Sequence, residues 1–402
     1  MPVIGVICEY NPFHNGHAWH LRRSRELLHE DSTVICVMSG DFVQRGEAAA
    51  FSKFARAEAA CRCGADLVIE LPLPWAISSA ESFAQGGVSL LDGLGAEYLS
   101  FGSEQGELAP LETIAEAICA PQTQEEIRQL LAQQPQLSYP AARQAVLTQR
   151  LGDGADALSQ PNNILGVEYI RAIWEFRLQI QPMTVARQGS GHDTRGTMPG
   201  MRSASEIRSM LQRGESIDGE VPLEAAEIYV REEKAGRIPC LERVETALLS
   251  RLRMFDEAYY RDLPDASDGV GERLYKAVRQ GEDLETVLQK AKTKRYAMAR
   301  LRRMTLCAAL GVKAGEADKR PPYARVLAMN DRGRGYLASL RKRDGLPLLI
   351  KPSTVSKLSA DCRTLFAIEA AAHDLYTLCY SARESRLMGE DWRNGPVLVE
   401  SG

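Results

Sequence analysis

Long apolar runs are missing from this chain: no stretch approaches the roughly 20 residues that cross a membrane, and an apolar strand opening at Val3 leaves no room for a signal peptide. A metal-binding cysteine framework is also missing. The nine cysteines are scattered, Cys61-Arg62-Cys63 is their only close pair, and no second pair completes a zinc set. Reduced thiols of a cytosolic enzyme are the simpler reading. No charge sign dominates, because 49 basic residues face 53 acidic ones. The net charge of -4 gives no whole-chain nucleic-acid signature, so an RNA site has to be a local patch. There is no internal repeat and no low-complexity segment. A soluble, cytoplasmic protein is expected, with neither a membrane nor DNA as partner.

What is present is an ordinary globular composition, 45% hydrophobic and 25% charged over 402 residues, enough for a large core and two or three domains. Val3-Ile4-Gly5-Val6-Ile7-Cys8, Thr33 to Met38, Asp66 to Pro72 and Tyr98 to Gly102 read as buried strands alternating with helices. That alternation predicts an α/β fold with a Rossmann-like parallel sheet covered on both faces. Residues 108–178 turn helical, Thr184 to Arg187 supplies a last core strand, and Gly189-Ser190-Gly191 forms a glycine-rich link. The expected division is a nucleotide-binding domain over 1–212 with a helical insertion, a helical basic region over 213–310, and a small C-terminal α/β or α+β domain over 311–402. Ala324 to Met329 and Pro347 to Ile350 are the strands of that last unit.

Chemistry concentrates at His14-Asn15-Gly16-His17, between the first strand and a helix that begins near Ala18. Taken alone, the turn serves equally as a polar helix cap. Its context favours a second reading, in which two imidazoles at the carboxyl edge of the sheet stabilise the phosphates of a nucleotide. Gly16 lets those phosphates approach the backbone. A metal site lacks a nearby carboxylate or third histidine. Later, Ser203-Ala204-Ser205-Glu206-Ile207-Arg208 places Ser205 as a helix cap and Arg208 one turn on, a second phosphate-binding start.

The pairing of His-x-Gly-His with a late serine, isoleucine and arginine resembles the nucleotidylyltransferase superfamily. The likeness narrows over Glu9-Tyr10-Asn11-Pro12-Phe13-His14-Asn15-Gly16-His17, Met38 to Glu47, Phe101-Gly102-Ser103-Glu104, Pro161 to Leu165, Thr293-Lys294-Arg295-Tyr296 and Pro321 to Leu327. Together these are similar to the bacterial tRNA(Met) cytidine acetate ligase family. Membership implies that acetate and ATP form acetyl-adenylate with release of pyrophosphate, and that the acetyl group passes to the exocyclic amine of the wobble cytidine in elongator tRNA(Met). It further implies that Ile7, Cys8 and the nine-residue motif through Ala18, Trp19 and His20 enclose ATP, with Gly102, Asn162 and Arg187 as further contacts. Two departures stand out: Asp41 occupies a position where asparagine is expected, and Ser205 replaces threonine.

Acetate is already ionised at neutral pH, so the first step needs no base. It needs cationic and donor groups to offset repulsion from the triphosphate, a role for His14, His17, Arg208, Arg187 and Mg2+. A base for the second step is not identifiable. Asp41 is one candidate and a simple turn former is the other reading. Gln44-Arg45 with Lys53 and Arg56 reads either as a solvated helix start or as a substrate contact.

The RNA contact is sought between Lys290 and Arg303, where no acid lies between Glu285 and Glu316. On one continuous helix, Lys292, Arg295, Arg302 and Arg303 share an arc and would track phosphates, with Lys294 beside them. Tyr296 either stacks on a base or lines a core edge. Two other functions share these features: a small-molecule adenylyltransferase, and a non-catalytic RNA-binding protein on a nucleotide-binding fold.

Overall fold

The computed structural model describes residues 1–187, 200–340 and 345–400, so the Gly189-Ser190-Gly191 link lies outside the described residues. In chain order the strands are β1 (Val3–Cys8), β2 (Thr33–Ser39), β3 (Phe42–Val43), β4 (Glu47–Ala48), β5 (Leu67–Leu71), β6 (Tyr98–Ser103), β7 (Gln181–Ala186), β8 (Ala324–Met329), β9 (Leu348–Leu349) and β10 (Val397–Leu398). All but β3 and β4 join one sheet, ordered β10-β8-β5-β2-β1-β6-β7 with β9 beside β8.

Its centre is parallel. β1 pairs with β2 from Val3 opposite Thr33 to Cys8 opposite Met38, and with β6 on its other side. Helices cover both faces, which is why β1, β2 and β5 are buried almost throughout and mostly apolar rather than alternating, with Glu70 of β5 the charged exception. From β1 the chain builds outward through β2 and β5, then returns to place β6 and β7 on the opposite side. The order therefore reverses between β1 and β6, and a crevice opens there at the strands' carboxyl ends.

The C-terminal segment corrects the sequence reading. Rather than forming its own sheet, β8 pairs antiparallel with β5 and extends the core. It is buried along its whole length, and it covers an edge that β5 would otherwise present to water. The Ala360–Leu378 helix then bridges two hydrophobic clusters, with Leu365 and Phe366 in the sheet core and Tyr376 among the helices of residues 244–312.

Lys53 and Arg56 are another correction. They are 1% and 0% exposed, neither solvated nor facing a substrate. Arg56, on helix α2 (Lys53–Arg62), donates to the carbonyls of Glu9 at 2.5 Å, Ser39 at 3.2 Å and Gly40, tying together the ends of β1 and β2. The Lys53 ammonium reaches Glu70 at 2.9 Å and Asp391 at 2.7 Å, and Arg325 shares Asp391 at 2.7 Å. Asp41 lies in the same buried network. Its Oδ1 accepts from the Lys53 backbone N–H at 2.8 Å, and its Oδ2 meets His373 Nδ1 at 2.7 Å.

His373 is bonded at both ring nitrogens, the second to Glu390 at 3.0 Å. Burial pulls its pKa down, but the Asp41 carboxylate and the two hydrogen bonds outweigh burial and raise it to about 10. An imidazolium favoured only in the folded chain stabilises it fully below an unfolded pKa of about 6.5. That contribution is lost as pH rises through the folded value. Urea melts should therefore show stability falling between pH 6.5 and 10, and His373→Gln should remove most of that slope. An equally steep slope in the variant would exclude His373 as its source.

Candidate active site

The first motif is built by backbone demands that the histidines themselves satisfy. Helix α1 (Asn15–Leu28) starts at His14, whose Nδ1 accepts the Gly16 N–H at 3.0 Å, while His17 Nδ1 accepts the His14 N–H at 3.3 Å. With Nδ1 accepting in both rings, the hydrogen of each neutral imidazole sits on Nε2. The rings stack at 3.8 Å between centroids and 24° between planes. Two parallel donors result, at a helix amino end whose free N–H groups also favour an anion. Burial, aided by the Arg187 charge, lowers the His14 pKa to about 4; burial and the neighbouring rings hold His17 well below the ordinary imidazole value. Both are therefore neutral donors at neutral pH. Gly16 is required for this stacking, since a Cβ there would lie 2.9 Å from His14 Cε1.

Surrounding groups fix the turn from behind. Phe13 N–H donates to Tyr229 Oη at 2.9 Å, Ala50 N–H to Asn11 Oδ1 at 2.7 Å, and Tyr10 holds a left-handed φ of 46°. Asn15 donates to the carbonyls of Gly200 at 2.7 Å and Gly219 at 2.9 Å, which carries the Ala204–Gln212 helix over the turn. Arg208 then reaches across to the Asn11 carbonyl at 2.7 Å.

These elements enclose a cavity of about 480 Å3 at the β1/β6 crevice, a size suited to a nucleotide-scale ligand. Ile7, Cys8, Glu9, Tyr10, Asn11, His14, Gly16, His17, Trp19 and His20 line it, joined by Gly102, Asn162, Arg187 and Arg208. Thus most of the sequence-derived residues converge. Pro12, Phe13, Asn15 and Ala18 do not reach the cavity; Phe13 and Asn15 support the turn from outside it. Its apolar lining includes Phe83, Phe101, Ile164, Leu165 and Val185. Arg45, Arg187, Arg202 and Arg208 bring positive charge to the same cavity. Apolar surface and positive charge in one cavity match a purine and a polyphosphate. Asn162 is oriented by Glu104, which accepts its side-chain N–H at 2.9 Å.

Several expectations fail here. Ser205 is exposed and caps nothing; the cap is Ser203, which accepts the Glu206 N–H at 3.3 Å while Glu206 accepts the Ser203 N–H at 2.8 Å. The spacing Ser203-x-x-Glu206 is a capping box, the sequence signal that identifies it. It is Ser203 and Arg202 that line the cavity. Asp41 is 4% exposed and does not line it, whereas Gln44 does. Arg45, delivered by the β3–β4 hairpin, also lines it, so of the four residues read together as a helix start or a substrate contact only Gln44 and Arg45 reach the cavity. Gln44 N–H donates to Glu9 Oε1 at 2.7 Å.

The basic run is not one helix. The Leu284–Ala291 helix stops, Thr293 Oγ1 accepts the N–H groups of Arg295 at 3.1 Å and Tyr296 at 3.3 Å, and a new helix spans Met298–Leu310. Acids from distant positions also pair with it: Asp268 with Arg295 at 3.0 Å, Asp265 with Arg303 at 3.0 Å, and Glu47 with Arg302. Tyr296 is buried and donates to the Asp268 carbonyl at 2.5 Å, so it is a core-edge residue. Lys290, Lys292 and Lys294 stay exposed, without a carboxylate partner among the described residues.

Among known proteins, the family described as HIGH Nucleotidyl Transferase matches residues 1–391. The chain is 34% identical over 419 residues to a tRNA(Met) cytidine acetate ligase of Acetivibrio thermocellus, across 99% of this chain and 100% of that protein. It is 37% identical over 364 residues to one of Syntrophotalea carbinolica, across 88% and 86%. The crystal structure of Thermotoga maritima TmcAL bound with alpha-thio ATP superposes with a TM-score of 0.92 at 30% identity, over 100% of both chains.

Proposed function

The chain belongs to the HIGH nucleotidyl transferases and, within them, to the tRNA(Met) cytidine acetate ligases, and on that premise we propose the following reaction at its β1/β6 cavity. ATP lies with adenine against Phe101, Ile164 and Leu165 and with its phosphates toward His14, His17 and Arg208. Acetate attacks the α-phosphorus, the bond to the bridging oxygen breaks, and pyrophosphate leaves. The Nε2 donors of the two histidines and the guanidiniums of Arg208 and Arg187 stabilise the charge that gathers on the phosphates. The acetyl group of the adenylate then moves to the wobble cytidine amine of elongator tRNA(Met). Convergence of the stacked histidine pair and Arg208 on the lining of one cavity is the observation that carries this reading.

Among the described residues no group of three His, Cys, Asp or Glu could hold a metal ion, and the cavity offers Glu9 as its single carboxylate. Such a donor set does not make a resident metal site. Mg2+ therefore belongs to the nucleotide.

The exposed lysines redirect the RNA contact to a loop. Lys292 and Lys294 project from the 292–297 connection, while Arg302 and Arg303 hold the β3–β4 hairpin. Charge reversal at Lys292 and Lys294 should weaken tRNA binding and lower the slope of log affinity against log salt by about 0.7–0.9 per lost phosphate contact. Acetyl-adenylate formation should persist. An unchanged slope would remove these lysines from the interface.

The reading as a whole is tested by incubating the protein with ATP, labelled acetate and total bacterial tRNA, followed by digestion to nucleosides. Label in N4-acetylcytidine supports it. Pyrophosphate release that requires a metabolite but no tRNA would favour a small-molecule adenylyltransferase. ATP binding without turnover would favour an RNA-binding protein.

A further inference from the structure

Transfer to cytidine needs a proton acceptor, because an exocyclic amine that attacks a carbonyl must shed a proton. The cavity narrows the choice. His14 and His17 each use Nδ1 to accept a backbone N–H, which leaves Nε2 as a donor. His20 Nε2 is engaged with Ser100 Oγ at 2.9 Å. The arginines are cations, and Asp41 lies outside the cavity in its network with His373. Glu104 also lies outside it and is bonded to Asn162. Among the described lining residues, Glu9 is the one carboxylate.

Its placement is equally specific. Glu9 follows β1 directly, with its backbone carbonyl clamped by Arg56 at 2.5 Å and its Oε1 held by Gln44 N–H at 2.7 Å. The hairpin that carries Gln44 rests on the Met298–Leu310 helix. Glu47 pairs with Arg302, and a Cβ added to Gly46 would lie 2.6 Å from Arg303 N. The basic 292–297 loop leads directly into that helix. Glu9 thus sits where the element supported by the RNA-facing region meets the adenylate cavity.

Resting on the tRNA acetylation reading above, we infer that Glu9 is the catalytic base of the transfer step. The N4 lone pair of cytidine attacks the acetyl carbonyl carbon and the C–N bond forms. The bond from that carbon to the phosphate oxygen of AMP breaks, its electron pair staying on AMP. The N4 proton passes to the Glu9 carboxylate and from there to water. Burial raises the pKa of Glu9 above that of an ordinary glutamate, against the opposing effects of the Gln44 N–H and Arg56, which brings it nearer the working pH of a base.

Glu9→Gln keeps the shape and an acceptor for the Gln44 N–H, and it tests the step. Two rates are compared with wild type: acetate-dependent ATP–pyrophosphate exchange, and single-turnover formation of acetylcytidine from prepared acetyl-adenylate and tRNA(Met). The expected result is a fall in transfer of about 100-fold or more, with at least a tenfold smaller effect on exchange. The wild-type transfer rate should also rise with pH to a plateau, and the variant should lose that rise. A transfer loss within tenfold of the exchange loss, or an unaltered pH profile, overturns the assignment. A wild-type protein giving neither exchange nor acetylcytidine would instead overturn the functional reading itself.

Discussion

His17→Ala should lower acetate-dependent ATP–pyrophosphate exchange by about 100- to 1,000-fold, the usual cost of removing one preorganised donor to developing charge. Two losses combine in this variant. The Nε2 donor disappears, and the His14 backbone N–H loses the Nδ1 atom that accepts it at 3.3 Å. His14 also loses its stacking partner, so its own donor is no longer held parallel to the first. His17→Asn separates these effects, because its amide can still donate while the stacked pair is gone. Partial recovery in the asparagine variant would assign the greater share to the donor. Exchange at wild-type rates in the alanine variant would remove His17 from the reaction.

Asp391→Ala should cost the fold about 3–5 kcal/mol, as expected when one member of a buried charged group is deleted and its partners remain. Asp391 is 0% exposed and accepts from both Lys53 and Arg325 at 2.7 Å. Its removal leaves two cations buried in the layer that joins β5, β8 and the C-terminal helices. Although burial opposes ionisation, Lys53 and Arg325 hold the carboxyl well below the ordinary range. The sign of the pH effect follows. A depressed folded pKa stabilises the chain above an unfolded value of about 3.9 and loses that contribution as pH falls. The gap between wild type and variant should therefore be full at neutral pH and shrink below pH 4. A melting temperature unchanged at pH 7 would mean that the network contributes nothing to stability.

The parts of this molecule legible in the sequence are those whose causes are local. The buried run of β1, the glycine in the histidine turn and the apolar periodicity of the helices each carry their own signal, and the parallel sheet follows from them. The cap at Ser203 was legible too, through Glu206 three residues later. What stayed hidden depends on partners brought from afar. Nothing near Asp41 announces His373, which lies 332 positions away. The basic run appears uncompensated only along the chain, because Asp265, Asp268 and Glu47 reach it through space. Thr293 breaks the expected helix with a side-chain turn that competes locally with helical hydrogen bonds. Likewise, β8 reads as a strand of its own domain until the open edge of β5 is seen beside it.

Convergence of the histidine turn and Arg208 on one bound triphosphate is tested most directly by a crystal structure with a non-hydrolysable ATP analogue. Phosphate oxygens within hydrogen-bonding distance of His14 Nε2, His17 Nε2 and the Arg208 guanidinium, with the adenine against Phe101 and Leu165, are expected. A triphosphate bound elsewhere, or imidazoles turned away from it, would contradict the assignment of this cavity.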